Sequence, residues 1–296
     1  MAKARRIYKR AKAVKSIRTV TSTMETVASV RFKKAHKRLM DSGPFAGKIA
    51  QVVAAVIGPR SLDHFDHPLL KEKPGNRDVL LMLTSNRGLC GSFNSSVMNV
   101  AVNRYSELKD KGYDVLLQVA GKRGQQMMRF RRYAPDKVYE VGETFMGYEK
   151  AAAIADALME QFIAGNISGL EVAYMQFVSA AQQKPVIAQI LPLEMLQALP
   201  RVAAVVGPRI AHYEFLPSVS AILGRLLPLA VRLKLYQCFL DSAASEQAMR
   251  IATMRSATDN ADDMIHDLTV QYNRMRQSEI TTQLAEIIGG RGEEEA

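Results

Sequence analysis

No proline falls between Val231 and the C-terminus of this chain. Within that stretch apolar or small residues recur at Ala261, Ile265, Leu268, Tyr272 and Met275. Steps of four, three, four and three residues draw one seam along a single helix. Asp259, Asp262, Asp263 and Asp267 lie off the seam and keep the other faces wet. A helix from about Ala243 to Gly290 would reach ~70 Å at ~1.5 Å per residue, beyond the breadth of a compact domain of this size. Such a rod needs a partner along its length.

The first forty residues offer one. Val14, Ile17, Val20 or Thr21, Met24, Val27 or Ala28, and Arg31 or Ala35 keep the same rhythm, with no Gly or Pro before Gly43. Thirteen basic residues stand against Glu25 alone there, a net +12 in a chain of +11 overall. From Asp241 onward eleven acids outnumber five arginines, a net −6. A basic helix at one end and an acidic one at the other can pair antiparallel, their flanking charges setting the orientation. Two ordinary surface helices flanking a core remain the alternative.

At 296 residues and 48% hydrophobic content the chain can form one large or two modest domains. Two cysteines, Cys90 and Cys238, argue for a reducing compartment rather than a disulfide scaffold. The longest apolar candidate, Phe215 to Leu240, is interrupted by Pro217, Arg225, Pro228, Arg232 and Lys234, too polar for a membrane span. The basic start leads into an amphipathic repeat rather than an apolar core, so no signal peptide is expected. A mitochondrial presequence would share the arginine-rich, acid-poor opening. The repeat runs unbroken through Met24, however, and a cut would truncate the helix pair. A soluble protein on the cytoplasmic side is expected.

Between the terminal helices the pattern changes. Asp41-Ser-Gly-Pro44 is a turn signal, Ile49 to Ile57 can continue a helix, and Ser61 to Arg77 reads as a linker. Asp78 to Thr84 is a short continuous apolar run, the mark of a strand buried on both faces. A helix follows to about Lys111, a second strand at Asp114 to Ala120, a helix at Lys122 to Tyr133 and a short strand near Lys137 to Val141. Tyr148 to Ile163 is helical, and Glu171 to Val178 and Pro185 to Leu193 read as two more strands. Alternating strands and helices imply an α/β layer on a mainly parallel sheet. The expected domains are a helix at 1–57, a linker at 58–77, an α/β domain at 78–210, and a C-terminal helix with an acidic tail at 211–296.

Candidate sites are few. Ser85-Asn-Arg-Gly-Leu-Cys-Gly-Ser-Phe-Asn94 follows a buried strand and precedes a helix, where nucleotide folds hold phosphates. With only Gly88 and Gly91 it matches neither the dinucleotide fingerprint nor the P-loop, so a structural or contact loop is expected and no cofactor. Cys90 has no histidine nearby in sequence and reads as a packed small hydrophobe. Asp63-His-Phe-Asp-His67 could serve a metal but sits in the linker without further ligands, and no metal site is expected. Asp262 and Asp263 point to different helix sides and cannot act as an acid/base pair. The basic N-terminus could neutralise nucleic-acid phosphates, but it lacks interleaved aromatics, and an acidic protein partner explains it equally well.

Three segments together resemble the γ-subunit family of F-type rotary ATP synthases. They are Thr21-Ser-Thr-Met-Glu-Thr-Val-Ala28, the Ser85 to Asn94 loop, and Ser245-Glu-Gln-Ala-Met-Arg-Ile-Ala-Thr-Met-Arg-Ser-Ala-Thr-Asp-Asn260 with Tyr272-Asn-Arg-Met-Arg-Gln277 and Ile280-Thr-Thr-Gln-Leu-Ala-Glu-Ile287. The resemblance covers nearly the whole chain. It implies an antiparallel two-helix coiled coil of the N- and C-termini, with a Rossmann-like α/β domain inserted between them. It further implies a central-stalk rotor, not itself catalytic, that couples proton translocation to ATP synthesis or hydrolysis at α/β catalytic sites. The implied partners are the ring of α and β subunits, the ε subunit and the c-subunit ring, with no nucleic acid. The implied location is peripheral, on the cytoplasmic face of a bacterial inner membrane rather than a mitochondrial matrix side.

Carried over by position, Met24, Arg250, Gln277, Thr281 and Glu286 match residues that link the two helices or couple the shaft to the stator. Arg255 and Arg276 match contacts to the β subunit, and the foot loop comprises Asn86, Arg87, Gly88, Cys90 and Gly91. The chain departs from the family pattern at three positions: Asn86 replaces the usual Asp, Ser92 the usual Gly and Thr26 a frequent Met. Pro217 and Pro228 suggest a kink or a late start in the final helix, and the acidic tail is unusual.

Overall fold

In the computed structural model the described residues are 2–57, 67–142, 145–193 and 218–292. The order of elements is α1 (Ala2–Ile57), β1 (Arg77–Leu83), α2 (Phe93–Asp110), β2 (Asp114–Ala120), α3 (Lys122–Phe130) and β3 (Lys137–Tyr139). These are followed by α4 (Tyr148–Ile163), β4 (Gly169–Phe177), β5 (Gln183–Leu191) and α5 (Val219–Gly292). The described chain divides into two compact units, one of residues 1–29 with 250–296, the other of residues 30–249.

The larger unit is built on a five-stranded sheet in the order β3-β2-β1-β4-β5. The first four strands are parallel, and their crossovers run through α2, α3 and α4. β5 pairs antiparallel with β4, because residues 178–182 are too few for a crossover. Side-chain alternation along the strands sorts the core into two layers. Val79, Leu81 and Leu83 of β1 join Leu170, Val172 and Tyr174 of β4 on the face covered by α4 and by parts of α1 and α5. Leu80 and Met82 join Ala173 and Met175 on the other face, under Phe93, Val97 and Ala101 of α2 and Met128 of α3. Strands buried on both sides must be apolar throughout, which is why β1 reads as one continuous run.

One sequence expectation fails at the long helices. Asp41 to Pro44 is no turn, because α1 passes through it with Pro44 inside. A helical proline forfeits one backbone hydrogen bond and crowds the preceding turn, a cost of about 3 kcal/mol. Here Leu39 before it and Ile49 after it are both held by the same core cluster. The exposed Gly43 and Pro44 therefore ride on a helix anchored from both sides. At the other terminus α5 runs through Pro228 without interruption, with Leu227, Val231 and Leu235 buried around it. Pro217 lies outside the described residues.

Candidate functional site

The smaller unit is a pair of helical segments whose contacts run in opposite directions. The Tyr8 ring lies 5.8 Å from that of Tyr272. Arg18 Nε donates to Asp262 Oδ1 at 2.8 Å, the hydroxyls of Thr21 and Thr258 are 2.7 Å apart, and Arg255 Nε donates to Glu25 Oε1 at 3.1 Å. Partner numbers fall on α5 as they rise on α1, so the pair is antiparallel. Its apolar seam joins Val14, Ala261 and Leu268 with the partly buried Ile7, Ala11 and Ile265.

The acidic-helix seam follows the expected spacing, with Ala261 and Leu268 buried and Ile265, Tyr272 and Met275 half-buried. On the basic helix the structure selects among the expected alternatives and leaves only Ile17 off the buried line altogether. Ile17, Val20 and Val27 are exposed, while Val14, Thr21, Ala28 and Ala35 are buried at seven-residue intervals. The ion pairs Arg18–Asp262 and Arg255–Glu25 escaped the sequence reading, since pairing across more than two hundred residues depends on register. Exposed as they are, such pairs each contribute about 0–1 kcal/mol and chiefly select the alignment.

Of the coupling candidates on this unit, Arg250 is buried, Met24 half-buried, and Arg255, Arg276, Gln277 and Thr281 exposed. Arg276 borders a shallow groove with Arg5, Tyr8, Tyr272 and Glu279. The side chain of Glu286 and the tail beyond residue 292 lie outside the described residues.

The Ser85–Asn94 loop belongs to the larger unit, at the C-terminal end of β1, the central strand. Asn94 organises it from the first turn of α2. Its Oδ1 accepts the Ser85 N–H at 3.0 Å, and its Nδ2 donates to Ser85 Oγ at 2.8 Å and faces Cys90 Sγ at 3.2 Å. Ser85 Oγ in turn donates to the Arg87 carbonyl at 2.7 Å. Left-handed backbone at Leu89 and Gly91 closes the turn, leaving Arg87, Leu89 and Gly91 exposed and Cys90 buried. Asn86 ties the loop to its neighbours, with Nδ2 donating to the Val141 carbonyl at 2.7 Å and Oδ1 accepting the Lys122 N–H at 3.2 Å. An aspartate could accept the second bond but could not donate the first.

Two glycines that the sequence reading passed over hold α3 against this loop. Gly121, at φ +101°, and Gly124 abut Thr84 so closely that a Cβ at either would collide with it. Gly124 N–H donates to Thr84 Oγ1 at 3.1 Å, and Thr84 Oγ1 donates to the Ala120 carbonyl at 2.7 Å. The Cys90 thiol is thus committed within an internally bonded loop, consistent with packing rather than nucleophilic chemistry. Among the described residues no group of three or more His, Cys, Asp or Glu could hold a metal ion. Asp63 to Asp66 lie outside them, and His67 Nδ1 accepts the Leu69 N–H at 3.2 Å. No helix among the described residues is long and apolar enough to cross a membrane.

Buried ionisable groups lie elsewhere, where α5 crosses β4. Burial pushes the Cys238 thiol up to about 12 and the Asp241 carboxyl up to about 6, and raises the Tyr174 phenol. Desolvation dominates each shift, so packing keeps Cys238 and Tyr174 protonated at neutral pH, while Asp241 releases its proton near pH 6.

A protein-family model described as "ATP synthase" matches residues 3–292. The chain is 38% identical over 292 residues to the ATP synthase gamma chain of Rhodopirellula baltica, covering 98% of both proteins. It is 36% identical to that of Frankia casuarinae, covering 97% of this chain and 96% of the relative. Its fold is similar to a chain in the mitochondrial ATP synthase of Euglena gracilis, solved as OSCP/F1/c-ring, with a TM-score of 0.64 at 17% identity over 97% of this chain and 93% of the other. A chain of the central stalk/c-ring structure from Tetrahymena thermophila gives 0.56 at 24% identity, covering 80% of this chain and 99% of that one.

Proposed function

The chain belongs to the ATP synthase gamma-chain family, and from that membership we propose that it is the central-stalk rotor of an F-type ATP synthase. The observation that carries this reading is the antiparallel pairing of the two termini. A shaft must resist twisting, and two helices interlocked along a seam do so better than one. A rotor must also present different faces to identical surroundings, so that each angular position favours a different nucleotide affinity at a catalytic site. A basic helix beside an acidic one is asymmetric in this way. In this reading the subunit transmits torque while the chemistry belongs to its partners.

In this reading the helix pair enters the ring of α and β subunits, the α/β unit rests by the ε subunit and the c-ring, and the Arg87–Gly91 loop lies near an acidic loop of β. The complex sits on the cytoplasmic face of a bacterial inner membrane and couples proton passage to ATP synthesis or hydrolysis. Met24, Arg250, Gln277, Thr281 and Glu286 are proposed as coupling residues, Arg255 and Arg276 as contacts to the β subunit, and Asn86, Arg87, Gly88, Cys90 and Gly91 as the foot loop. The test is co-purification with α and β subunits followed by ATP hydrolysis of the particle. A stoichiometric complex that hydrolyses ATP only when this chain is present supports the rotor role. Failure to assemble with any α/β pair, together with tight and salt-sensitive DNA binding, would hand the case to a nucleic-acid role. Within the complex, Met24→Lys is expected to weaken coupling more than assembly, and equal loss of both would sink that assignment.

A further inference from the structure

The end of α3 carries an apolar group that neither the helix pair nor the Ser85–Asn94 loop uses. Phe130, the last residue of α3, is 90% exposed, so its ring touches almost nothing. The chain turns sharply just beyond it. Arg132 adopts φ +63°, its N–H donates to the Arg129 carbonyl at 3.0 Å, and the Tyr133 N–H donates to the Met128 carbonyl at 2.9 Å. This closure usually employs glycine at the left-handed position, and here an arginine occupies it. Arg129, Arg131 and Arg132 are thereby gathered, exposed, around the phenylalanine.

The charge there is one-sided. From Lys122 to Lys137 six basic residues face a single acid, Asp136, whose carboxylate accepts the Leu117 N–H at 2.7 Å. Arg131 reaches the neutral Asn99 side chain at 3.3 Å. Among the described residues no carboxylate pairs with Arg129 or Arg132.

We propose that this tip binds an anionic lipid surface, with Phe130 entering the headgroup boundary and Arg129, Arg131 and Arg132 engaging the acidic headgroups. A lone projecting ring needs a preformed pocket if its partner is a protein. A lipid interface yields around it without one. Arginine stems are long enough to keep their guanidinium groups among the headgroups while the ring sits deeper. Each basic residue near an anionic surface multiplies affinity about 5-fold. The inference stands on α3 alone and does not rest on the rotor role.

The chain contains no tryptophan, so Phe130→Trp supplies a sole indole at the proposed point of entry. The ring's near-total exposure makes that exchange harmless to the fold. On mixed phosphatidylglycerol–phosphatidylcholine vesicles its emission is expected to move to shorter wavelength, with no movement on phosphatidylcholine alone. Adding Arg129→Gln and Arg132→Gln should raise the lipid concentration for half the change about 30-fold. The basic terminal helix can carry the chain to anionic vesicles unaided, so sedimentation with vesicles does not count as support. Tyr8→Trp provides the comparison on that helix. Vesicle binding that shifts the indole at position 8 and leaves the one at 130 wet would overturn the proposal. So would a shift at 130 produced by poly-glutamate without lipid, which would indicate an acidic protein partner instead.

Discussion

Glu171 lies on β4 beneath α2, with its side chain only 10% exposed, and Arg104 grips it from α2 through Nε at 2.7 Å and Nη2 at 2.6 Å. Two parallel charge-assisted bonds make this the strongest polar tie between α2 and the sheet. Arg104→Met removes both and leaves a buried carboxylate unpaired. Breaking a buried pair from one side costs about 3–5 kcal/mol, and the 28% exposure of Arg104 argues for the lower end, about 3 kcal/mol. The opposite change costs less. In Glu171→Gln the guanidinium keeps its 3.1 Å contact to Glu107 and its access to water, so about 1–2 kcal/mol is expected. Arg104→Met combined with Glu171→Leu removes the orphaned charge and should recover most of the larger loss. Urea unfolding of the full chain compares the unmodified protein with these three variants. The reasoning fails if Arg104→Met costs under about 1 kcal/mol, or if the double variant is no more stable than it.

Four further outcomes are expected. Asn86→Asp places a carboxylate against the Val141 carbonyl and should cost about 1–2 kcal/mol at neutral pH, partly offset by the adjacent N-terminus of α3; equal stability by urea unfolding would refute it. Gly124→Ala drives a methyl into Thr84 and Val119, both buried, and a loss of about 1–3 kcal/mol should appear as a lower urea midpoint. Arg132→Gly relieves a left-handed backbone and should raise stability by about 1 kcal/mol in the same assay. Burial raises the Asp241 carboxyl to about 6 from an ordinary 3.8, so the folded chain holds this proton to higher pH than the unfolded one. Its stabilising effect is therefore complete below about pH 4 and is lost as pH rises through about 6, a change of about 3 kcal/mol that Asp241→Asn should abolish.

Much of this architecture is legible from local pattern. The bounds of β2 and α4 follow residue for residue from apolar runs and helical periodicity, because each element carries its own hydrophobic period. The acidic-helix seam from Ala261 to Met275 is equally plain, and so is the opposition of charge between the termini. What local pattern leaves open is every choice between neighbours that satisfy the same period. Val27 and Ala28 are equally acceptable one position apart, and only the tertiary structure buries Ala28 and leaves Val27 exposed. Gly43 and Pro44 read as a turn until Leu39 and Ile49 are seen to share one core. Phe130 is apolar, yet it stands in solvent at the end of α3. Arg104 and Glu171, or Ser85 and Asn94, meet because strand order and crossover geometry bring them together. The chain by itself therefore determined which elements form and which family it belongs to. The tertiary structure decided which faces those elements turn to one another, because register and the pairing of distant charges are set by contacts between elements rather than within them.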